Sequence, residues 1–472
     1  MNNTNFILNK VLRVIVFIVS VIVTFLLVGD PILPKGMGYF ALVPFVFGVG
    51  YVLSKKTSLY MFRNIGLLML NITLFIRYII TPFYMWFNGY SIGRGATPSA
   101  GNYQMAILLM ILEIIVIFIT IEIFANRFYK ENKKMVPKSK IKVNKNFIGL
   151  VFLLITLLVI LIYPNLLERY SFILTATEYK GNMELNLPFG SLFPLMVSFS
   201  SMLLTITILN KFYKQYELKA NSIWIYLSIC IVFLMASFIV GTSRFSMLIP
   251  MVTGMYLITK LYPTHNKRIY SIFGVLILIA VSISTLVKQF GINLGEVDND
   301  FSNVASSVSS SLQVYFSGVH NVAIAVKARE IFVNDIDFGL IVGDLLSSVM
   351  IISNYFTSEF GGVNMFNYAF YNNTISTDQI LPMIGQGYLY FGFFFSPIFV
   401  IMFTYFMMYF DKKSREGSTV FKVYIYAYIS VRFGMFFMSN ATILTSVFTN
   451  YYLLFLLIFL LNNKFVLFNK KV

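Results

Sequence analysis

The sequence predicts an all-α fold, a polytopic integral membrane protein of about twelve transmembrane helices with one large outer loop containing amphipathic or re-entrant helices. Three observations carry this. The chain is 58 % hydrophobic and 12 % charged with a mean hydropathy of +0.78, too apolar for a soluble protein of 472 residues. Apolar runs of about 20 residues recur along it, the length that crosses the hydrocarbon core of a bilayer. The basic residues collect in alternate loops, as an oriented membrane protein requires.

The predicted spans are 11–28, 37–53, 65–86, 104–126, 147–163, 189–209, 222–240, 245–260, 269–287, 384–409, 420–438 and 443–461. Lys10 and Arg13 precede the first apolar run without a small-residue cleavage site, so it reads as a retained helix and not a signal peptide. With both termini placed inside, the inner segments hold 26 of the 36 Lys and Arg against four acidic residues. The outer segments hold thirteen acidic and eight basic residues. The net charge of +17 is therefore an orientation signal with a contribution to anionic-lipid contact, and nucleic acid is excluded as a partner. The chain divides into nine spans with short loops (1–287), a large extracytoplasmic loop (288–382), and three spans with a short cytoplasmic end (383–472).

The loop is where chemistry is expected. Val304, Val308, Leu312, Tyr315 and Val319 recur at helical spacing, an amphipathic helix lying along the membrane. Residues 338–356 are apolar enough to span. A crossing there would put the basic run 411–417 outside, and Asp344 stands in the middle, so an interfacial or re-entrant helix is expected.

Charges inside spans are costly and so informative. Arg77 lies nine residues from Trp86, and Glu113 nine residues from Gln104, which puts both about 14 Å deep on antiparallel neighbours. They can form an ion pair that locks the two helices, or Arg77 can face a cavity and bind an anion. Glu122 lies near the inner end of its span, beside Arg127. Arg432, in YISVRFGMFF, has no acid at matching depth, which allows a polar cavity or anionic ligand beside plain packing. Arg244, in the outer hairpin FIVGTSRFSML, is either a bidentate phosphate clamp or a snorkelling interfacial arginine. His320, followed by Lys327 and Arg329, is the only outer histidine, either surface decoration or a proton acceptor for a hydroxyl.

Other chemistries find little footing. Cys230 is the only cysteine, and His265 and His320 are the only histidines, so thiol and histidine metal sites are excluded and no cofactor or metal is expected. Asp298-Asn299-Asp300 and Asp335-Ile336-Asp337 have the DxD spacing of metal-dependent glycosyltransferases but lie on the outer side, and they read as solvated loop acids. Walker-type and GxGxxG loops are absent.

The layout and several short stretches resemble one family. A Gly-Thr-Ser-Arg turn at 241–244, VYFSGVHNVA at 314–323, and NNTISTDQILPMIGQGYLYFGFFFSPIF at 372–399, with its Tyr390-Phe391-Gly392 step, are similar to the Wzy-type oligosaccharide repeat-unit polymerases. The likeness covers most of the chain in layout and some 40 residues in motif. Many relatives have an acid near the position of Gln386, which this chain lacks. The resemblance implies a metal-independent membrane glycosyltransferase at the outer face of a bacterial cytoplasmic membrane. It would join undecaprenyl-diphosphate-linked repeats into a surface polysaccharide, beside a flippase and a chain-length regulator. It further implies that Arg244 and Arg432 clamp the leaving diphosphate, that Arg329 is a second clamp, and that His320 is the base. The competing classes are a lipid-linked oligosaccharide flippase, expected to have short loops throughout and more charge in its centre, and an O-antigen-ligase-like transferase.

Overall fold

The computed structural model describes residues 3–90, 95–130, 147–172, 193–240, 244–276, 308–309, 311–349, 352, 355–356, 360–372 and 379–468. Almost all are helical, apart from a short antiparallel ladder in which Tyr170–Phe172 pairs with Phe238–Val240. Among the described residues, five helices are long and apolar enough to cross a membrane: Asn9–Leu27, Ile65–Phe87, Ala100–Tyr129, Leu195–Lys219 and Ala441–Asn462. A sixth crossing results if the bent pair Met383–Phe395 and Ile398–Glu416 is counted as one. Several other predicted spans are present as shorter apolar helices, among them Leu42–Leu53, Phe147–Ile162 and Ile223–Ser237. At 1.5 Å per residue, the twelve residues of Leu42–Leu53 reach only about 18 Å, well short of a hydrocarbon core.

The chain forms two compact units. The first comprises Met1–Lys133, Asp300–Lys412 and Ser430–Thr449, so it joins the first four predicted spans to most of the large loop. The second comprises Lys134–Asn299, Lys413–Ile429 and Asn450–Val472. Its helices Phe147–Ile162 and Phe193–Lys219 lie side by side, with Ser200 donating to Thr156 Oγ1 at 2.8 Å and Phe199 meeting Phe455 edge-on at 4.2 Å. The Tyr170 ring stacks on Phe238 at 5.2 Å and holds the ladder.

Within the first unit, the helix Ala100–Tyr129 is the central post. Ser99 and Asn102 form a reciprocal capping box at its start, which satisfies two backbone donors and fixes where the helix begins. Against it packs the loop helix Val319–Phe332. From Val319 to Ala328 every residue but Lys327 is buried. A helix buried all round belongs in a core and not on a surface. Ala323, Ala325 and Ala328 let its neighbours approach closely, and a Cβ added at Gly385 of Met383–Phe395 would sit 2.6 Å from the Ala325 Cβ.

The segment before it differs from the sequence expectation. Val304 lies outside the described residues, but 308–309 and 311–315 are helical as predicted. Over 308–315 the buried face is the other one. Ser309, Gln313 and Ser317, four residues apart, are 1 %, 2 % and 0 % exposed, whereas of the predicted stripe Val308, Leu312 and Tyr315 are only half-buried and Val319, at the start of the next helix, is buried. An apolar stripe seeks the core only where the alternative is water. Beside lipid, apolar side chains face outward at no cost, and polar ones turn inward to the protein.

The predicted straight span 384–409 is broken. Gly392 has φ 75° and ψ −170°, a conformation essentially reserved for glycine, and the two halves meet at 110°. Gly387 closes the bend, since a Cβ there would sit 1.9 Å from the Ser396 carbonyl oxygen. The apolar stretch after residue 338 forms Phe338–Ser347, ten residues or about 15 Å, half of what a crossing requires.

Candidate functional site

Four of the residues singled out by sequence, Arg77, His320, Arg329 and Arg432, lie in the first unit. Arg244 belongs to the second, where it starts the helix Arg244–Leu261. Its side chain and the Gly-Thr-Ser turn before it lie outside the described residues, as do Val304 and the Asp298–Asp300 triplet.

Arg77 sits in a single π-helical turn, Ile76–Ile80, inside the span Ile65–Phe87. Such turns re-aim a side chain by one position and recur at functional sites. Arg77 Nη2 donates to Glu113 Oε2 at 2.7 Å, and both side chains are closed to solvent. Tyr78 donates to the same oxygen at 2.7 Å, and the Phe437 ring lies 4.6 Å from the guanidinium carbon. Arg77 Nη1 donates to the Phe316 carbonyl at 3.0 Å. This last bond ties the ion pair to the loop. Since Asn102 donates to Glu330 at 2.6 Å, the chain from Phe316 to Glu330 runs alongside the N-terminal half of Ala100–Tyr129.

His320 is 2 % exposed, inside that core. Its Nδ1 lies 3.2 Å from the Tyr103 hydroxyl, its backbone N–H donates to Gln313 Oε1 at 3.4 Å, and the Phe370 ring stands edge-on at 6.1 Å. Burial away from any countercharge lowers its pKa from 6.5 to about 4, so the ring is neutral at physiological pH. Its Nε2 is buried and unpartnered. The same holds for Ser309 Oγ, Gln313 Nε2 and both amide atoms of Asn321. Nearby in the same unit, Ser317 donates to the Phe437 carbonyl at 2.7 Å, while Ser439 Oγ, Arg432 Nε, Arg77 Nε and Glu113 Oε1 are also buried without a partner. Buried polar atoms left unpaired each cost about 1–3 kcal/mol, so a group of them marks a place where a polar ligand or ordered water belongs.

Arg329 is engaged differently. Its Nη1 donates to the carbonyls of Tyr388, at 2.7 Å, and Leu389. Those carbonyls lie one turn before Gly392, where the break ends the ladder of backbone bonds, so Arg329 takes up acceptors the break exposes. Both bonds leave the same nitrogen, Nη1, which carries two N–H donors. Arg329 thus braces the Tyr-Phe-Gly step, a role no local sequence pattern revealed.

A second polar group gathers beside it. Asp344, 5 % exposed, accepts from the Tyr390 hydroxyl and from Thr442 at 3.0 Å through one oxygen, Oδ2. Gln386 donates to Thr442 at 3.1 Å and accepts from the Ala441 N–H at 2.7 Å. An acid therefore stands two hydrogen bonds from Gln386, by way of Thr442, contributed by a different segment. The sequence signal for Asp344 was its isolation in an apolar run. For Ser309, Gln313 and Asn321 the signal was their helical spacing, masked by the stronger apolar stripe beside them. Of the DxD-like acids, Asp337 caps Phe338–Ser347 by accepting from the Leu340 N–H at 2.6 Å.

Comparison with protein families, curated proteins and solved structures finds no match to this chain.

Proposed function

We propose that the protein is a membrane glycosyltransferase that polymerises undecaprenyl-diphosphate-linked oligosaccharide repeats into a surface polysaccharide at the outer face of a bacterial cytoplasmic membrane. In this reading the chain has about twelve spans with both termini inside, and it works beside a flippase and a chain-length regulator. The observation that carries the proposal is the buried polar face of the large loop, where Ser309, Gln313, His320 and Asn321 place polar atoms in the interior of the first unit.

Chemically, the acceptor hydroxyl loses its proton to neutral His320 Nε2 while Tyr103 steadies Nδ1. The leaving lipid diphosphate gains negative charge as the glycosidic bond breaks. A guanidinium in a water-poor setting stabilises that charge; Arg432, in the first unit, is one candidate, and Arg244, in the second, is the candidate the sequence names. Arg77 is engaged by Glu113 and by the Phe316 carbonyl, one on each terminal nitrogen, and is closed to solvent, so it acts in this reading by holding the loop and not by touching phosphate.

Deleting the gene and separating surface polysaccharide by gel tests the proposal. Single-repeat glycan at the surface is the expected result. Accumulation of lipid-linked repeats on the cytosolic side would identify a flippase instead. Arg432→Ala and Arg244→Ala are each expected to leave single repeats, and normal chain length in both would remove the diphosphate clamp.

A further inference from the structure

The corner between Met383–Phe395 and Ile398–Glu416 can be placed along the length of the spans beside it. Ile398–Glu416 runs antiparallel to the end of Ala100–Tyr129. Asp411 accepts from the Tyr129 hydroxyl at 3.0 Å, and the Tyr409 and Tyr405 rings meet Phe128 and Phe124 at 6.2 and 5.0 Å. Asp411 also accepts from the N–H groups of Gly66 and Leu67, at the start of the span Ile65–Phe87. From Asp411 back to Ile398 is thirteen residues, about 20 Å of helix. On the same scale the far ends of the two spans, Phe87 and Ala100, lie about 30 and 44 Å from that level. The corner therefore sits inside the thickness of the spans and not at their ends. The chain turns through 110° there, 20° past a right angle, so Met383–Phe395 lies close to the plane of the membrane while its successor runs along the spans.

Exposure changes abruptly along this level helix. Residues 383–387, Leu389 and Tyr390 are buried, whereas Phe394 and Phe395 are 86 % and 67 % exposed and Ile398 is 46 % exposed. The backbone at the corner shows what meets these side chains. Arg329 takes up the carbonyls of Tyr388 and Leu389. The buried Ser396 hydroxyl donates to the Phe393 carbonyl at 2.8 Å, and the Pro397 carbonyl accepts from the Ile401 N–H at 2.9 Å. Position 397 itself is a proline, with no N–H to satisfy. A bend in water can leave such groups to the solvent. A bend in hydrocarbon must satisfy them from within the protein. Two adjacent phenylalanine rings are costly to hold in water and cost nothing beside lipid tails.

We propose that Met383–Phe395 lies level within the bilayer and that its tip, Phe394 and Phe395, is a contact surface for the acyl chains of membrane lipid. The tip of the Tyr-Phe-Gly step then borders hydrocarbon and not water. This holds whatever the protein acts on, so it stands or falls separately from the polymerase reading.

The test places tryptophan at the tip, Phe394→Trp or Phe395→Trp, in full-length protein whose own tryptophans are removed by Trp86→Phe and Trp224→Phe. The protein is reconstituted in phosphatidylcholine vesicles brominated either deep in the acyl chain or close to the headgroup. The expected result is emission shifted to the blue, quenched most by the deep bromines, with acrylamide quenching several-fold weaker than for free indole. Quenching by acrylamide as strong as for free indole would overturn the proposal by showing a water-facing tip. Quenching greatest near the headgroup would place the tip at the interface, and insensitivity to both quenchers would show that protein covers it; either result also overturns the proposal. If the tryptophan variants fold poorly, Phe394→Cys in a Cys230→Ser background serves instead. That cysteine is expected to resist a water-soluble maleimide in native membranes and to react once the protein is unfolded. Ready labelling in the membrane would contradict a lipid-facing tip.

Discussion

Arg77 and Glu113, 36 residues apart in sequence, meet at 2.7 Å with no solvent contact on either side chain. Breaking such a pair strands a charge. Removing both charges together, with apolar residues of similar volume, often costs nothing. Arg77→Ala and Glu113→Ala are each expected to destabilise by about 3–5 kcal/mol. Arg77→Met combined with Glu113→Leu is expected to recover most of that, as measured by thermal unfolding in detergent. If the double variant folds well yet makes no polymer, the bond from Arg77 to the Phe316 carbonyl is what function needs. If it makes normal polymer, the pair is only a lock between helices.

Gly392 and Arg329 maintain the break in the Met383–Phe395 helix from opposite sides, one by its backbone angles and the other by capturing the freed carbonyls. Gly392→Ala forces a side chain into a conformation that costs about 1–3 kcal/mol. Arg329→Lys keeps the charge but shortens the side chain, which draws the donor back from the two carbonyls that Nη1 reaches. Both variants are expected to lower the unfolding temperature and to increase cleavage by added protease near residues 388–396. An Arg329→Lys protein as stable as wild type, with shortened polymer, would return Arg329 to the role of phosphate clamp.

These two cases show what could be read from sequence. The Arg77–Glu113 pair was legible because helix rise converts residue spacing into depth, and two antiparallel spans bring equal depths together. The apolar runs were legible for the same reason, since bilayer thickness acts on composition alone. The inward turn of Ser309, Gln313 and Ser317 was not, because which face of a helix is buried depends on whether its other neighbour is water or lipid. The Gly392 break was visible as a motif but not as a bend, because the donor that takes up its freed carbonyls, Arg329, comes from a helix about 60 residues earlier.

Asp411 is a further case of the same kind. It stands at the head of a basic run that reads as a solvated loop, yet it is 0 % exposed. It accepts from the backbone N–H groups of Gly66 and Leu67 at 2.8 and 3.0 Å, from Ser430 at 2.7 Å and from Tyr129 at 3.0 Å. A carboxylate at the first turn of Ile65–Phe75 satisfies orphan donors and the helix dipole together. Close approach there depends on Gly66, where an added Cβ would lie 2.1 Å from Ser430 Oγ. Asp411→Ala is expected to destabilise by about 3 kcal/mol or more, Asp411→Asn by less, and Ser430→Ala by about 1 kcal/mol. Equal, small effects from all three in thermal unfolding would mean that the four bonds do not act together.

His320 supplies the pH dependence. Its folded pKa of about 4 lies below the ordinary 6.5, so between these values the unfolded chain binds the proton and the folded chain does not. Stability from this group is therefore fully present above pH 6.5 and is lost as pH falls toward 4, by on the order of 3 kcal/mol. The groups facing it are the Tyr103 hydroxyl, the Gln313 amide and the Phe370 ring, none of them charged, so no neighbour reverses the sign. Acidic residues titrate in the same window, so the informative quantity is the difference between wild type and His320→Gln. The variant is expected to lose less stability from pH 6.5 to 4. Its polymer yield is expected to fall at every pH, while the wild type holds its activity down to about pH 5 because the ring stays neutral there. Parallel stability curves would show that the ring is not held neutral by burial. Wild-type activity that drops already near pH 6.5 would show that it titrates as an exposed histidine does.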